Sequence, residues 1–296
     1  VIDTPGYFDF AGEVMQALRV SEAGLIVCTA KNGLAVGTEK SWKYLNSRKM
    51  PKLIYISKLD EENADYFRAF QGLRDKFGIS VCPVVIPAVE GEKVIGIINL
   101  VEKKAYKTDG NKITEMPVPD AMEAVVEEYT GVLMENVAET SEELMEKYFS
   151  GEPLTKAEIV QGIKSGVKDG TITPVVCGVA TKLEAIDMVL DVINDLAPTP
   201  QDTEGTKIDI GSTEVVLPFN ENAQVAALVF KTVADPFVGK MSFVKVLSGV
   251  LKADSNVINT TTGEPEKMGK LLFIRGKKQT DARGIKAGDI GAVTKL

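Results

Sequence analysis

KLIYISKLD, Lys52–Asp60, decides the fold. Leu53 to Ile56 is an unbroken apolar run, without the alternation of a half-buried strand; a strand covered on both faces of a parallel sheet has this pattern. The run stops at four residues, Ser57-Lys58-Leu59-Asp60, that read as a loop at a strand end. GLIVCTA, Gly24–Ala30, repeats the pattern upstream. Between the two, TEKSWKYLNSR after Gly37 predicts a helix. Downstream, ADYFRAFQGLRDKFG places Phe67, Phe70, Leu73 and Phe77 near helical spacing and stops at Gly78. Strands alternating with helices predict a parallel α/β sheet.

From about Val81 the pattern changes. VCPVVIPAV and KVIGIINLV predict strands, and PDAMEAVVEEYTGVLMENVAETSEELMEKYFSG is a long acidic helical stretch. Thr140-Ser141-Glu142-Glu143 and Thr155-Lys156-Ala157-Glu158 both fit capping boxes, so separate helices are expected to start there. Residues 85–174 thus form a mixed α+β insertion. TPVVCGVATK restores a short buried strand, followed by a helix with Ile186, Val189, Leu190, Ile193 and Leu196 on one stripe. The Pro-rich APTPQDTEG ends that helix. Residues 201–223 read as a linker containing a strand-like VVL. Residues 224–296 are short segments rich in Val, Phe and Thr, separated by SGVLKADS, TTGEPE and KAGD, and predict a small all-β barrel or sandwich.

The composition is that of a globular chain: 296 residues, 44% hydrophobic and 26% charged. No stretch has the apolar length of a membrane span and no leader sequence is recognisable, so the expected compartment is the cytoplasm. There is no histidine, which rules out imidazole catalysis and the common zinc sites within these residues. Cys28, Cys82 and Cys177 each sit in an apolar run and read as reduced, packed hydrophobes. The net charge of −8 argues against DNA or general nucleic-acid binding, but it is unevenly spread. Residues 224–296 hold 12 Lys+Arg against 6 Asp+Glu, whereas residues 1–223 hold 22 against 36. The basic C-terminal part suits either a solvated surface or contact with a polyanion.

Two short motifs carry chemistry. Val1 and Ile2 run into Asp3-Thr4-Pro5-Gly6, which reads as a strand ending in a turn. A carboxylate there can hold magnesium through water, and a glycine lets its N–H approach a terminal phosphate; a plain Asp-capped turn explains the residues equally well. In Ser57-Lys58-Leu59-Asp60 the carboxylate can accept two N–H bonds from a guanine edge while the lysine stem packs on the purine face. An exposed, solvated Lys and Asp is the plain alternative. Both motifs are expected to close consecutive parallel strands on one sheet edge, where α/β sheets bind ligands.

In this order the residues resemble translational GTPases, specifically the elongation factor G family. DTPGYFDFAGEVMQALRVSEAGLIVCTAKNGLAVGTE resembles that family's magnesium and phosphate motif and the strand after it. SKLD resembles its guanine motif NKxD, and CGVATK stands where the family has a GSA-type loop. The insertion resembles its extra subdomain. DPFVGKMSFVKVLSGVLKADSNVINTTTGE and GDIGAV resemble its second, β-barrel domain. The resemblance implies a partial GTP-binding domain over residues 1–200, a β-barrel domain over 224–296, GTP or GDP with Mg2+ as ligands, and the ribosome, both RNA and proteins, as partner. Residue by residue it implies Asp3 for magnesium through water, Gly6 for the terminal phosphate, Ser57, Lys58 and Asp60 for guanine, Val179 for the pocket wall and Ala180 for a backbone contact to the base.

The sequence also departs from the family. Tyr7 occupies the position of the water-positioning histidine, Ser57 that of the guanine-motif asparagine, and Val179 that of a serine hydroxyl. No G-x-x-x-x-G-K-[ST] loop occurs in the 296 residues. The resemblance places that loop before Asp3, so the chain is expected to be a piece lacking its phosphate-binding start and the family's later domains. Two functions follow. The first is a piece of a GTPase acting on the ribosome in protein synthesis, at a translocation-type step, and itself unable to hydrolyse GTP. The second is a GTPase-like ribosome-binding or regulatory module without nucleotide turnover.

Overall fold

The run Lys52–Ser57 becomes an interior strand of a parallel sheet in the computed structural model, which describes residues 1–294 apart from 92, 110–111, 211–212 and 236–238. The described chain divides into two compact units. One is Ala23–Pro198; the other joins Val1–Glu22 to Thr199–Leu296 and includes the first helix, α1 (Ala11–Leu18).

In the first unit β1 (Gly24–Thr29), β2 (Lys52–Ser57), β3 (Val81–Pro83) and a later strand, β8 (Thr173–Cys177), lie in the order β1-β2-β8-β3, every pair parallel. All six residues of β2 are buried. Leu53, Ile54 and Ile56 each stabilise the sheet by about 1.5–3 kcal/mol relative to an exposed side chain. At the sheet edge β1 buries Ile26 and Cys28 but leaves Leu25 and Val27 exposed. Helices α2 (Val36–Asn46) and α3 (Tyr66–Phe77) are joined by the stacked rings of Trp42 and Phe77, 4.2 Å apart. The α3 N-cap is Asp65, whose carboxylate accepts from the Arg68 N–H at 3.0 Å, and the helix ends at Gly78 with φ 91°, as its sequence predicts.

The insertion begins with four antiparallel strands, β4 (Val85–Glu90), β5 (Lys93–Asn99), β6 (Lys104–Asp109) and β7 (Lys112–Met116), in sequential order. The acidic stretch after them forms α4 (Glu123–Ala138) and α5 (Glu142–Ser150), and α6 (Lys156–Asp169) leads into β8. Tyr129 of α4 packs against Phe67 and Phe70 of α3. The capping box at Thr155 forms: its hydroxyl accepts from the Glu158 N–H, and the Glu158 carboxylate accepts from the Thr155 N–H at 2.8 Å. The one expected at Thr140 does not. Thr140 lies in the turn that closes α4 and donates to the Val137 carbonyl at 2.7 Å, so the cap passes to Ser141, which accepts from the Leu144 N–H. In α7 (Ile186–Leu196) Val189 and Leu196 are buried as expected, but Leu190 is exposed.

The second unit is antiparallel. The stretch expected to be a linker carries a hairpin, β9 (Thr206–Ile210) with β10 (Thr213–Leu217). Beyond it lie β11 (Ala226–Asp235), β12 (Gly239–Ser248), β13 (Val250–Lys252), β14 (Asn256–Ile258), β15 (Pro265–Lys267), β16 (Leu271–Arg275), β17 (Lys278–Ala282), β18 (Gly284–Lys286) and β19 (Ile290–Thr294). Five of them form one sheet, β11-β12-β19-β16-β17, and β13–β18 and β14–β15 form pairs. Val244, Val246, Leu251, Leu271, Ile285 and Val293 make the core. Of the DPFVGK stretch, residues 236–238 lie outside the described residues. The segment carrying α1 is tied to this unit by ion pairs of Glu13 with Lys231 and Glu22 with Lys245, and by a hydrogen bond from Lys245 Nζ to the Val20 carbonyl at 2.7 Å.

The strand expected at Val1–Ile2 is absent. Residues 1–6 have no ladder partner among the described residues, and Val1 is fully exposed, so neither hydrogen bonds nor burial fix an extended conformation there. No helix among the described residues is long and apolar enough to cross a membrane.

Candidate functional site

The residues Ser57–Asp60, expected from the sequence to meet a guanine base, sit where β2 leaves the sheet. Ser57 is buried, and its carbonyl accepts from the Ala30 N–H at 2.9 Å, the last bond of the β1–β2 ladder. Lys58 then takes φ 61°, a left-handed conformation that a lysine adopts at a cost of roughly 1–2 kcal/mol. The chain turns sharply there. Leu59 points inward, 6% exposed, and pins the loop, leaving Lys58 and Asp60 directed outward. Lys58 pairs with Glu61 at 2.7 Å across two exposed side chains.

The second loop begins at β8, the sheet neighbour of β2. The Gly178 N–H donates to the Ile56 carbonyl at 3.2 Å, extending the ladder one residue past β8. Val179 and Glu184 exchange two backbone hydrogen bonds, each 3.0 Å, and close a turn of 3-10 helix over Ala180–Lys182. Val179 is buried and Ala180 is exposed at the first position of that turn, where a backbone N–H has no partner within the helix. Leu183 (φ 58°) and Ala185 (φ 64°) are also left-handed. Three of the strained non-glycine residues therefore flank these two loops, as strain does at many functional sites. Gly178 is required on steric grounds: a Cβ there would come within 2.6 Å of the Glu184 carbonyl oxygen.

The loops meet through a residue the sequence did not single out. Lys182 Nζ lies 2.9 Å from Asp60 Oδ2, and the carboxylate holds the lysine pKa above its ordinary value. Lys182 belongs to CGVATK, but no periodicity or spacing pairs it with Asp60. Beneath the loops a cavity of about 250 Å³ is walled by Leu59, Gly178, Val179 and Ala185 on one side and by Ile97 and Thr108 of the inserted strands on the other.

Asp3, Gly6 and Tyr7 are placed differently. They belong to the other unit, all three exposed, and Tyr7 precedes a short 3-10 turn in which its carbonyl accepts from the Phe10 N–H at 3.1 Å. The expectation that Asp3–Gly6 and Ser57–Asp60 end consecutive strands of one sheet edge is not met, because the first motif has no strand. Among the described residues no cluster of three or more Asp, Glu or Cys could hold a metal. Asp3 is a single exposed carboxylate, enough for one contact, direct or through water, to a magnesium ion carried mainly on substrate phosphates. The thiols are buried, and burial pushes Cys28 and Cys82 up to about 12 and raises Cys177 as well, which disfavours the thiolate.

Comparison with known proteins bears on both units. The family described as elongation factor Tu GTP binding domain matches residues 1–199, and that described as elongation factor G domain 2 matches residues 224–296. A crystal structure of a protein from Thermus thermophilus is similar over 99% of this chain, at 27% identity and a TM-score of 0.85. The chain spans 42% of that protein's length.

Proposed function

The chain belongs to the translational GTPases of the elongation factor G type, with an elongation factor Tu GTP binding domain over residues 1–199 and an elongation factor G domain 2 over residues 224–296, and on that premise we propose that Ser57–Asp60 and Val179–Ala180 form the guanine-binding side of a cytoplasmic factor acting on the ribosome. The observation that carries this reading is the placement of Asp60 and Ala180 on loops that leave hydrogen-bonded neighbouring strands and are joined by the Asp60–Lys182 ion pair.

The Asp60 carboxylate accepts from guanine N1–H and the exocyclic amine, and the Lys58 stem covers the purine face. The Ala180 N–H donates to O6. Ser57 and the buried Val179 shape the pocket wall, with Val179 offering no hydroxyl. By the family resemblance, Asp3 would serve Mg2+ through water and the Gly6 N–H would serve the terminal phosphate. Mg2+ supplies neutralisation of the phosphate charge. Tyr7 offers a phenol where an imidazole would orient the attacking water, so these 296 residues are expected to bind the nucleotide without turning it over.

Calorimetric titration with GDP and magnesium, with ADP as control, tests the pocket. GDP should bind in preference to ADP, and Asp60→Asn should cut that preference about tenfold, because the new amide donor faces the base's own donors. Retention of the preference by Asp60→Asn sinks the guanine assignment.

The ribosome as partner is supported by the family and by the excess of Lys and Arg after residue 223. Pelleting with ribosomes should occur at low salt and weaken as salt rises; pelleting indifferent to salt would contradict contact through phosphates. Tyr7, Ser57 and Val179 support the second reading, a ribosome-binding or regulatory module whose parent turns over no nucleotide. Phosphate release from GTP by the parent, abolished by Asp3→Ala, would exclude it.

A further inference from the structure

The contacts assigned above to a purine leave the Lys182 ammonium unused, although it touches the carboxylate that reads the base. We propose that Lys182 is a specificity-determining residue: with Asp60 it sets a hydrogen-bond donor beside an acceptor, matching guanine's O6 beside N1–H and opposing adenine. This rests on the guanine reading of Asp60.

Three observations support it. First, the ion pair leaves capacity on both partners. An ionised carboxylate has about four lone-pair sites and an ammonium three donors, so Asp60 can hold Lys182 at 2.9 Å and still accept from a base, while Lys182 retains donors to offer. Second, the position of Lys182 is built. It ends the 3-10 turn closed by the Val179–Glu184 bonds and is followed by Leu183 and Ala185, both left-handed, a conformation that persists only when the surroundings enforce it. Third, both side chains are within reach of a ligand, with Lys182 55% and Asp60 30% exposed. A pair so exposed contributes little to folding.

Guanine would present O6 to the ammonium and N1–H to the carboxylate. Adenine would present its N6 amine to the ammonium and the N1 lone pair to the carboxylate, so both contacts become repulsive. A lysine that merely occupied the carboxylate would act the other way, competing with every base.

The test is titration of the chain with GDP and with ADP for the natural sequence, Lys182→Met, Lys182→Arg and Asp60→Asn, with a thermal melt of each. Lys182→Met should lower GDP affinity about three- to tenfold, lower the GDP-to-ADP ratio, and leave the melt unchanged, while Lys182→Arg keeps most of the ratio. If Lys182→Met leaves GDP affinity unchanged or raises it while Asp60→Asn reduces it, Lys182 is not a reading group and the guanine pocket stands without it. If Asp60→Asn is also silent, or the natural sequence shows no preference for GDP, the guanine reading fails and the role of Lys182 fails with it.

Discussion

The loop after β2 and the segment Val1–Gly6 both carry short motifs with an aspartate, yet the first is held by burial and ladder bonds and the second is not. Ser57–Asp60 follows four buried apolar residues and is pinned by Leu59, and its neighbour loop is bonded to Ile56 through Gly178. Asp3–Gly6 follows an exposed Val1 and has no ladder. Ordering one residue's backbone costs about 1–2 kcal/mol, which burial and hydrogen bonds must offset. The strand end meets that requirement and the segment Val1–Gly6 does not, so similar motif lengths give different degrees of preorganisation.

The largest expected effect breaks the ordered side of this contrast. Gly178→Val puts a Cβ within 2.6 Å of the Glu184 carbonyl; the loop must shift, with a stability loss of about 3 kcal/mol and loss of GDP binding, read by thermal unfolding and calorimetry. An unchanged melt would show that the loop yields without cost. A smaller effect is expected from Lys245→Met, which removes the cation held by Glu22 and the Val20 carbonyl. Lys245 is buried and Glu22 a quarter exposed, so the loss is discounted to about 2 kcal/mol. Hydrogen exchange should speed up over residues 11–22 while the β2 amides stay protected; equal protection before and after would mean that this ion pair does not hold the segment. The smallest effect belongs to Gly6→Ala. Nothing lies within 4 Å of a Cβ there, and stability should move by no more than ~0.5 kcal/mol. A loss comparable to that of Gly178→Val would erase the contrast between the two motifs.

Much of the fold was legible. The apolar runs at Gly24–Thr29 and Lys52–Ser57, the helix ending at Gly78 and the capping box at Thr155 are all formed by residues within a few positions of one another. The failures are of two kinds. Thr140 matches the capping-box pattern, but α4 runs to Ala138 and Thr140 falls in its closing turn, so the cap passes to Ser141. Val1–Ile2 and Leu190 have the composition of buried residues, but burial requires a neighbouring element, and the sequence does not say which neighbours are present.

The site divides in the same way. Lys58 and Asp60 stand out at the end of a strand that the sequence marks by its apolar run, whereas Ser57, Val179 and Ala180 are singled out by the resemblance to the elongation factor G family. That the two strand ends are neighbours, and that Lys182 reaches Asp60 across 122 positions of sequence, became visible only in the folded chain. The sequence by itself determined most of the strands and helices and several of the motifs that end them, because propensity, periodicity and capping act over a single turn or pleat. Tertiary structure alone decided which motifs share an edge and which charges meet, because strand order and ion pairing join residues far apart in the chain, and only the buried core they share brings them together.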